Sequence, residues 1–319
     1  MKITVIGCGR WGSFIAYYLN LIGNDVTVGA RPEDKAAHNF AETRSNGTIT
    51  MPEKVRFVFS PLKAIEDAEL VVFSVPSQNL RSLLTQLGKE AMAGKYIVLC
   101  MKGLEIETGK RLTQIVADVL PDNPTAVWVG PGHPQEFAAG KPNCMVIDSA
   151  DPKLTKMLAD RFSSELIRFY YGDDLIGTEI GAASKNVIGI AAGLLDGLGL
   201  PSLKGALMAR GTREISRLIS DMGGNGFSAY GLCHLGDYEA TVFSVFSHNR
   251  SFGESFAKGE KYTLLAEGAY TVKALMRMKE KTGTELPICT AVYDIIYGGA
   301  DPRKTLDALF SRSLKKEFE

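Results

Sequence analysis

KITVIGCGRWG, residues 2–12, is the stretch on which the fold turns. A short run of valine and isoleucine bounded by glycine reads as a strand. The turn Gly7-Cys8-Gly9-Arg10-Trp11-Gly12 follows it and opens the helical pattern FIAYYLNLIG. G-x-G-x-x-G by itself is a weak signal. Strand–turn–helix at the start of a βαβ unit is the context that a dinucleotide-binding loop requires. There Gly7 permits the tight turn, Gly9 lets backbone approach a pyrophosphate, and Gly12 lets helix and strand pack closely. The helix N-terminus offers free N–H groups and a positive dipole end to phosphates.

Working outward, the second strand ends in Gly29-Ala30-Arg31. This is the place, about 20 positions on, where an NAD-binding chain usually carries the carboxylate that reads the ribose. With no carboxylate there, Arg31 is available to pair a 2′-phosphate, so NADP or dual use is expected over strict NAD. A solvated loop arginine is the other reading. Further apolar runs at 55–60, 69–76, 95–100, 125–130, 144–149 and 166–172 join 2–7 and 25–29 as strands. Helical patterns lie between many of them. That alternation predicts a mainly parallel sheet with helices on both faces, an α/β Rossmann-type dinucleotide-binding domain over residues 1–172. From about residue 174 the character changes to helical segments at 174–198, 202–222, 237–246, 260–282 and 285–297. Residues 173–319 are therefore read as an all-α domain for the substrate.

Composition narrows the function. Apolar residues make up 45% and charged residues 23%, and Lys plus Arg equal Asp plus Glu at 36 each. A zero net charge gives no electrostatic case for nucleic acid or a membrane surface. No window holds the 18 apolar residues of a membrane span. The N-terminus runs straight into a strand without the layout of a signal peptide. Five scattered cysteines without a C-x-x-C pair fit reduced thiols. The expectation is a cytoplasmic protein.

Candidate chemistry lies at strand ends and in one helix. Ligands of open α/β sheets bind beyond the carboxyl ends of the strands. The fourth strand ends in Ser74-Val75-Pro76-Ser77 and the fifth in Cys100-Met101-Lys102-Gly103. Lys102 projects either into that crevice or to solvent. In GAASKNVIGIAAGLLDGLG, residues 181–199, Lys185 has only Gly181, Ala182, Ile188 and Gly189 as helical neighbours. Either it snorkels to water, or it is desolvated and tuned for acid–base work near neutrality. Asp237 is either a helix N-cap or a carboxylate that orients a lysine or a substrate hydroxyl. Ser247, Asn249 and Arg250 form either a donor cluster for phosphate or a polar loop.

In order along the chain, these motifs resemble the bacterial-type NAD(P)-dependent sn-glycerol-3-phosphate dehydrogenases. They are G-C-G-R-W-G at 7–12, V-P-S at 75–77, K-G at 102–103, G-P at 130–131 and K-N-V-I-x-I-A-A-G-x-x-D-G-L-G at 185–199. After them come R-G-x-x-E-I at 210–215, G-L-x-x-L-G-D at 231–237, N-R-x-x-G at 249–253 and A-E-G at 266–268. The resemblance spans nearly the whole chain. It implies reversible hydride transfer between NAD(P)H and C2 of dihydroxyacetone phosphate, with glycerol 3-phosphate going to phospholipid synthesis, in a homodimer. Lys185 matches the proton donor and acceptor. Lys102 matches a lysine touching substrate and cofactor, and Asp237 a substrate-site aspartate. Gly130, Gly132, Asn186, Thr241, Ser247, His248, Asn249 and Arg250 fall at or beside the substrate. Arg10, Trp11, Arg31, Pro76, Leu265 and Glu267 join the three glycines around the dinucleotide.

Three departures stand out. The usual G-P-S is Gly130-Pro131-Gly132, and the usual G-L-A-G-L-G-D is G-L-C-H-L-G-D with His234. The usual S-R-N-R is Ser247-His248-Asn249-Arg250, so histidine replaces the arginine that grips phosphate. His248 could still donate a hydrogen bond, or Arg250 could swing in. The histidine spacing matches no metal-ligand signature, and no metal is expected. Two other functions stay open: a dehydrogenase of this fold for another phosphorylated or acidic 2-hydroxy compound, and a catalytically silent NAD(P)-binding sensor.

Overall fold

A computed structural model describes residues 1–314, 316 and 317. All eight expected strands are present: β1 (Lys2–Ile6), β2 (Asp25–Gly29), β3 (Arg56–Val58), β4 (Leu70–Phe73), β5 (Tyr96–Leu99), β6 (Thr125–Val129), β7 (Asn143–Ser149) and β8 (Ile167–Tyr171). They form one sheet in the order β3-β2-β1-β4-β5-β6-β7-β8. The first six are parallel, β7 is antiparallel to β6, and β8 is parallel to β7. The order reverses between β1 and β4, and that switch point is where such a sheet opens a ligand crevice.

The strands are joined through α1 (Arg10–Leu21), α2 (Lys35–Thr43), α3 (Pro61–Ala64), α4 (Leu80–Met92), α5 (Leu112–Val119), α6 (Pro134–Ala138) and α7 (Pro152–Phe162). One apolar cluster packs Phe14, Tyr18, Trp128 and Phe162 on one face of the sheet. A second packs Leu80, Leu84, Ile115 and Val116 on the other. Burial on both faces is why β1, β4 and β5 read as nearly unbroken apolar runs.

After β8 come α8 (Leu175–Gly197), α9 (Lys204–Asp221), α10 (His248–Ala257), α11 (Glu267–Thr282), α12 (Pro287–Gly298) and α13 (Pro302–Phe310). The segment expected as a helix over 237–246 is instead a 3-10 turn (Leu235–Asp237) followed by one π turn (Glu239–Phe243). The helix expected from residue 260 starts at Glu267. The polar stretch from His248 is itself a helix, with the Ser247 hydroxyl accepting from Arg250 N at 3.3 Å as its N-cap.

Helix α8 is the axis of this half, buried on every side from Gly177 to Leu195. Its glycines let α10 reach it backbone to backbone. A Cβ at Gly193 would stand 1.9 Å from Arg250 O, and one at Gly253 would stand 2.1 Å from Ile190 O. Backbone cannot give way as a flexible side chain can, so no other residue fits this crossing without prising the helices apart. Gly193→Ala is expected to destabilise the protein by about 3 kcal/mol, the upper end of the usual overpacking range. Urea unfolding measures this, and a loss below about 1 kcal/mol would mean that the crossing is not tight.

Candidate active site

The nucleotide end comes first along the chain. Gly7 has φ +103°, and a Cβ there would lie 2.3 Å from Ser74 O, so the turn between β1 and α1 excludes any side chain. Gly12 is pressed on Gly7 O, where a Cβ would stand at 2.1 Å. Gly9 is different: nothing lies within 4 Å of the place its Cβ would occupy. Gly9 is also the N-cap of α1, with no side-chain cap bond and no acidic residue in the first turn. Open space beside uncapped N–H groups is a cradle that fits a pyrophosphate. The indole Nε1 of Trp11, buried without a protein partner, is a further donor in that first turn.

Arg31 follows β2, is exposed and pairs loosely with Glu33 at 3.6 Å. The first turn after β2 therefore does hold a carboxylate, which strand-end spacing does not reveal. On the other side of the loop, Glu267 at the start of α11 accepts from Ser77 Oγ at 2.7 Å and from Ser77 N at 3.3 Å. Pro76 immediately precedes that contact, and burial pushes the Glu267 carboxyl up. Gly103 makes the approach possible, since a Cβ there would meet Ser77 Oγ at 2.5 Å. Leu265 is half exposed beside this junction.

Lys102, just beyond β5, turns inward. Its Nζ donates to Gly130 O at 2.6 Å and to Asp237 Oδ2 at 2.6 Å. Lys185 reaches the other oxygen, with Nζ 3.1 Å from Asp237 Oδ1, and donates to Thr241 Oγ1 at 2.6 Å. Thr241 Oγ1 in turn donates to Asp237 O at 2.8 Å. Asp237 is fully buried and Lys185 is 7% exposed, so Lys185 does not snorkel. Burial is the main cause that lowers the Lys185 ammonium to about 8, with Lys102 adding to it and Asp237 opposing. The Oδ1 contact lacks hydrogen-bond alignment. That oxygen is therefore a buried acceptor open to a substrate hydroxyl.

A second chain of bonds braces this cluster. Asn186 Nδ2 donates to Lys102 O at 3.1 Å, Asn249 Nδ2 to Asn186 Oδ1 at 3.1 Å, and Gly268 N to Asn249 Oδ1 at 2.8 Å. Among the described residues Asn249 Nδ2 makes this one donation, and a primary amide carries two N–H groups. Arg250 does not swing toward the lysines. Its Nη1 is tied to Asp196 at 2.7 Å and Glu254 at 3.1 Å, and its Nε to Ser244 O at 3.2 Å. Ser247 is occupied as the cap of α10. His248 lies in the field of Arg10 and edge-on to the Tyr262 ring. Desolvation first, and Arg10 second, hold its imidazole below the ordinary value, so it is neutral at pH 7.

Gly132 (φ +132°) has its side-chain space filled by the Phe137 ring, 2.4 Å from an added Cβ, so serine would not fit there. His133 belongs to the departing run Gly130-Pro131-Gly132-His133-Pro134 and is one of three histidines at such departures, with His234 and His248. Its Nε2 is buried without a partner, and its imidazole is held low by burial and by the field of Lys185. Among the described residues, no group of three His, Cys, Asp or Glu side chains could hold a metal, and no helix is long and apolar enough to cross a membrane.

Comparison with known proteins gives the family. The family descriptions of the NAD-dependent glycerol-3-phosphate dehydrogenase N-terminus and C-terminus match residues 2–155 and 174–307. The glycerol-3-phosphate dehydrogenase [NAD(P)+] of Chlorobium phaeobacteroides (strain BS1) is 34% identical, with 100% of this chain and 99% of that protein covered. That of Clostridium botulinum (strain Alaska E43 / Type E3) is also 34% identical, with 99% of each covered. The crystal structure of glycerol-3-phosphate dehydrogenase from Coxiella burnetii superposes with a TM-score of 0.91 at 28% identity, covering 98% of this chain and 99% of that one. A glycine cradle, a buried two-lysine site and full-length similarity thus converge, and the chain belongs to the NAD-dependent glycerol-3-phosphate dehydrogenase family.

Proposed function

We propose that the protein reduces dihydroxyacetone phosphate at C2 to sn-glycerol 3-phosphate, reversibly, with NADPH or NADH, and supplies the backbone for phospholipid synthesis. The observation that carries this reading is the buried Lys102–Asp237–Lys185 cluster beyond the carboxyl ends of the parallel strands. Gly7, Gly9, Arg10, Trp11 and Gly12, with Arg31, Pro76, Leu265 and Glu267, would hold the dinucleotide, which supplies the hydride when bound.

The protein's share is electrostatic and protonic. Negative charge develops on the ketone oxygen as C2 is reduced, and a cation there stabilises the transition state. Lys185 is suited to that place. Its ammonium is held by Thr241, is mostly protonated at neutral pH, and is acidic enough to give its proton up. Asp237 keeps two buried ammonium groups together and offers Oδ1 to a hydroxyl. Lys102 lies between Gly130 and Asp237, within reach of substrate and cofactor alike. Asn186, Thr241 and Asn249 hold the pocket walls, and the spare Asn249 N–H and the His248 imidazole are the donors left for phosphate.

Residues 1–172 would serve the dinucleotide and 173–319 the substrate. Five free cysteines agree with a reducing cytoplasm, and a homodimer is the assembly proposed. A second reading, another phosphorylated or acidic 2-hydroxy substrate, draws on His248. With Arg250 tied to Asp196, no arginine of the 247–250 quartet is free to take a dianionic phosphate.

Steady-state oxidation of NADPH and NADH against a panel of ketone phosphates and 2-oxo acids separates these readings. Turnover is expected with dihydroxyacetone phosphate. Turnover with another ketone alone would favour the second reading, and tight cofactor binding without turnover would leave a sensor. Lys185→Ala is expected to lower kcat at least ~100-fold, the scale of acid–base catalysis. Because the reductive direction needs protonated Lys185, kcat for reduction should hold below pH about 8 and fall above it, while oxidation rises. His248→Arg would replace a neutral hydrogen bond to phosphate by a charge-assisted one. It is expected to lower KM several-fold at pH 7.5, for a gain of about 1 kcal/mol. An unchanged KM would place the phosphate elsewhere.

A further inference from the structure

Asp237 sits on one 3-10 turn (Leu235–Asp237), too short to hold a carboxylate in register by itself. The loop that delivers it is fastened by His234, which is fully buried. Its Nδ1 lies 2.8 Å from Gly181 O, and its Nε2 lies 2.7 Å from the Tyr238 hydroxyl. A carbonyl oxygen only accepts, so Nδ1 carries the proton, Nε2 is the acceptor, and Tyr238 donates. That set of bonds defines one neutral tautomer. Burial, which holds the imidazole down at about 4, keeps it neutral throughout the range in which an enzyme works.

The two partners give this arrangement its meaning. Gly181 stands four residues before Lys185 in α8, so its carbonyl is the helical acceptor of the Lys185 backbone N–H. His234 takes the second lone pair of that same oxygen. Tyr238 directly follows Asp237 in the chain. One imidazole is thus bonded on one side to the peptide unit that supports the Lys185 ammonium, and on the other to the neighbour of the carboxylate that pairs with it. Gly181 makes the close approach possible, since a Cβ there would already stand 3.2 Å from His234 Cβ.

We infer that His234 is a positioning residue, setting the Asp237 carboxylate in register with the Lys185 ammonium through the Gly181 carbonyl and Tyr238. It touches neither substrate nor cofactor. The inference rests on the dehydrogenase reading for its kinetic test only.

The test compares His234→Ala with His234→Asn, whose side-chain amide keeps a donor near the Nδ1 position. Misplacement by about 1 Å can cost ~100-fold in rate. His234→Ala should therefore lose roughly 10- to 100-fold in kcat with dihydroxyacetone phosphate, with KM for both substrates within about threefold. His234→Asn should recover most of that loss. Wild-type kcat in His234→Ala, or an equal loss in both variants, would overturn the inference. Should circular dichroism show His234→Ala unfolded, Tyr238→Phe replaces it. That variant keeps the imidazole and removes its second anchor, and it is expected to lower kcat several-fold; an unchanged value would overturn the inference. If the wild type turns over no ketone, the dehydrogenase reading fails by itself. 15N-histidine NMR then decides separately: a neutral Nδ1–H ring for His234 at pH 7 is expected, and an Nε2–H tautomer or an imidazolium would overturn it.

Discussion

Asp237 accepts from Lys102 on one oxygen and faces Lys185 with the other, and water reaches neither the carboxylate nor much of the lysines. Burying charge costs several kcal/mol per ion unless the partners repay it through close, well-bonded contacts. This cluster meets the condition by drawing on distant parts of the chain. Lys102 comes from the end of a sheet strand, Lys185 from the middle of α8, and Asp237 from a single turn 52 residues beyond Lys185. Gly130 O and Thr241 Oγ1 complete the coordination of the two ammonium groups. The sheet and the helical half are thereby held together at the place where a substrate would bind.

The same requirement explains the small residues of α8. A helix that carries a charge into the interior must have that charge met from several directions, so other elements must come very close. Gly181 admits the ring of His234, Gly189 admits Thr241, and Gly193 admits the backbone of α10. Desolvation, the main cause of the lowered Lys185 ammonium, is therefore a property of helix packing more than of any single partner.

The histidines divide into unlike cases. His234 is locked between Gly181 and Tyr238 and serves the geometry of the pair. His248 is partly exposed beside Arg10 and Tyr262. His133 lies between them in character, with one ring nitrogen buried and unpartnered near both lysines. At 248 a histidine lies in the field of Arg10, while in the buried cluster two lysines face one aspartate. The Arg250 guanidinium joins neither group, because Asp196 and Glu254 hold it on the far stretch of α8.

Local chemistry made the sheet and the glycine loop legible. Buried parallel strands must be apolar nearly throughout, and a turn at φ +103° against Ser74 O admits only Gly7, so both constraints are written into a few consecutive residues. The family resemblance was legible for the same reason, since its motifs are short and lie in order. Helix α10 was less so, because its closest contact with α8 is made through backbone at Gly253, and the only large apolar pair it offers to a period is Phe252 and Phe256. The inward turn of Lys102 was also hidden, since spacing alone left it evenly between solvent and crevice. What draws it inward is Asp237, 135 residues away in sequence, and the outward tie of Arg250 to Asp196 spans 54. The sequence determined which groups carry the chemistry; only the tertiary structure decided which charges meet, because a buried ion pair is chosen by proximity in three dimensions.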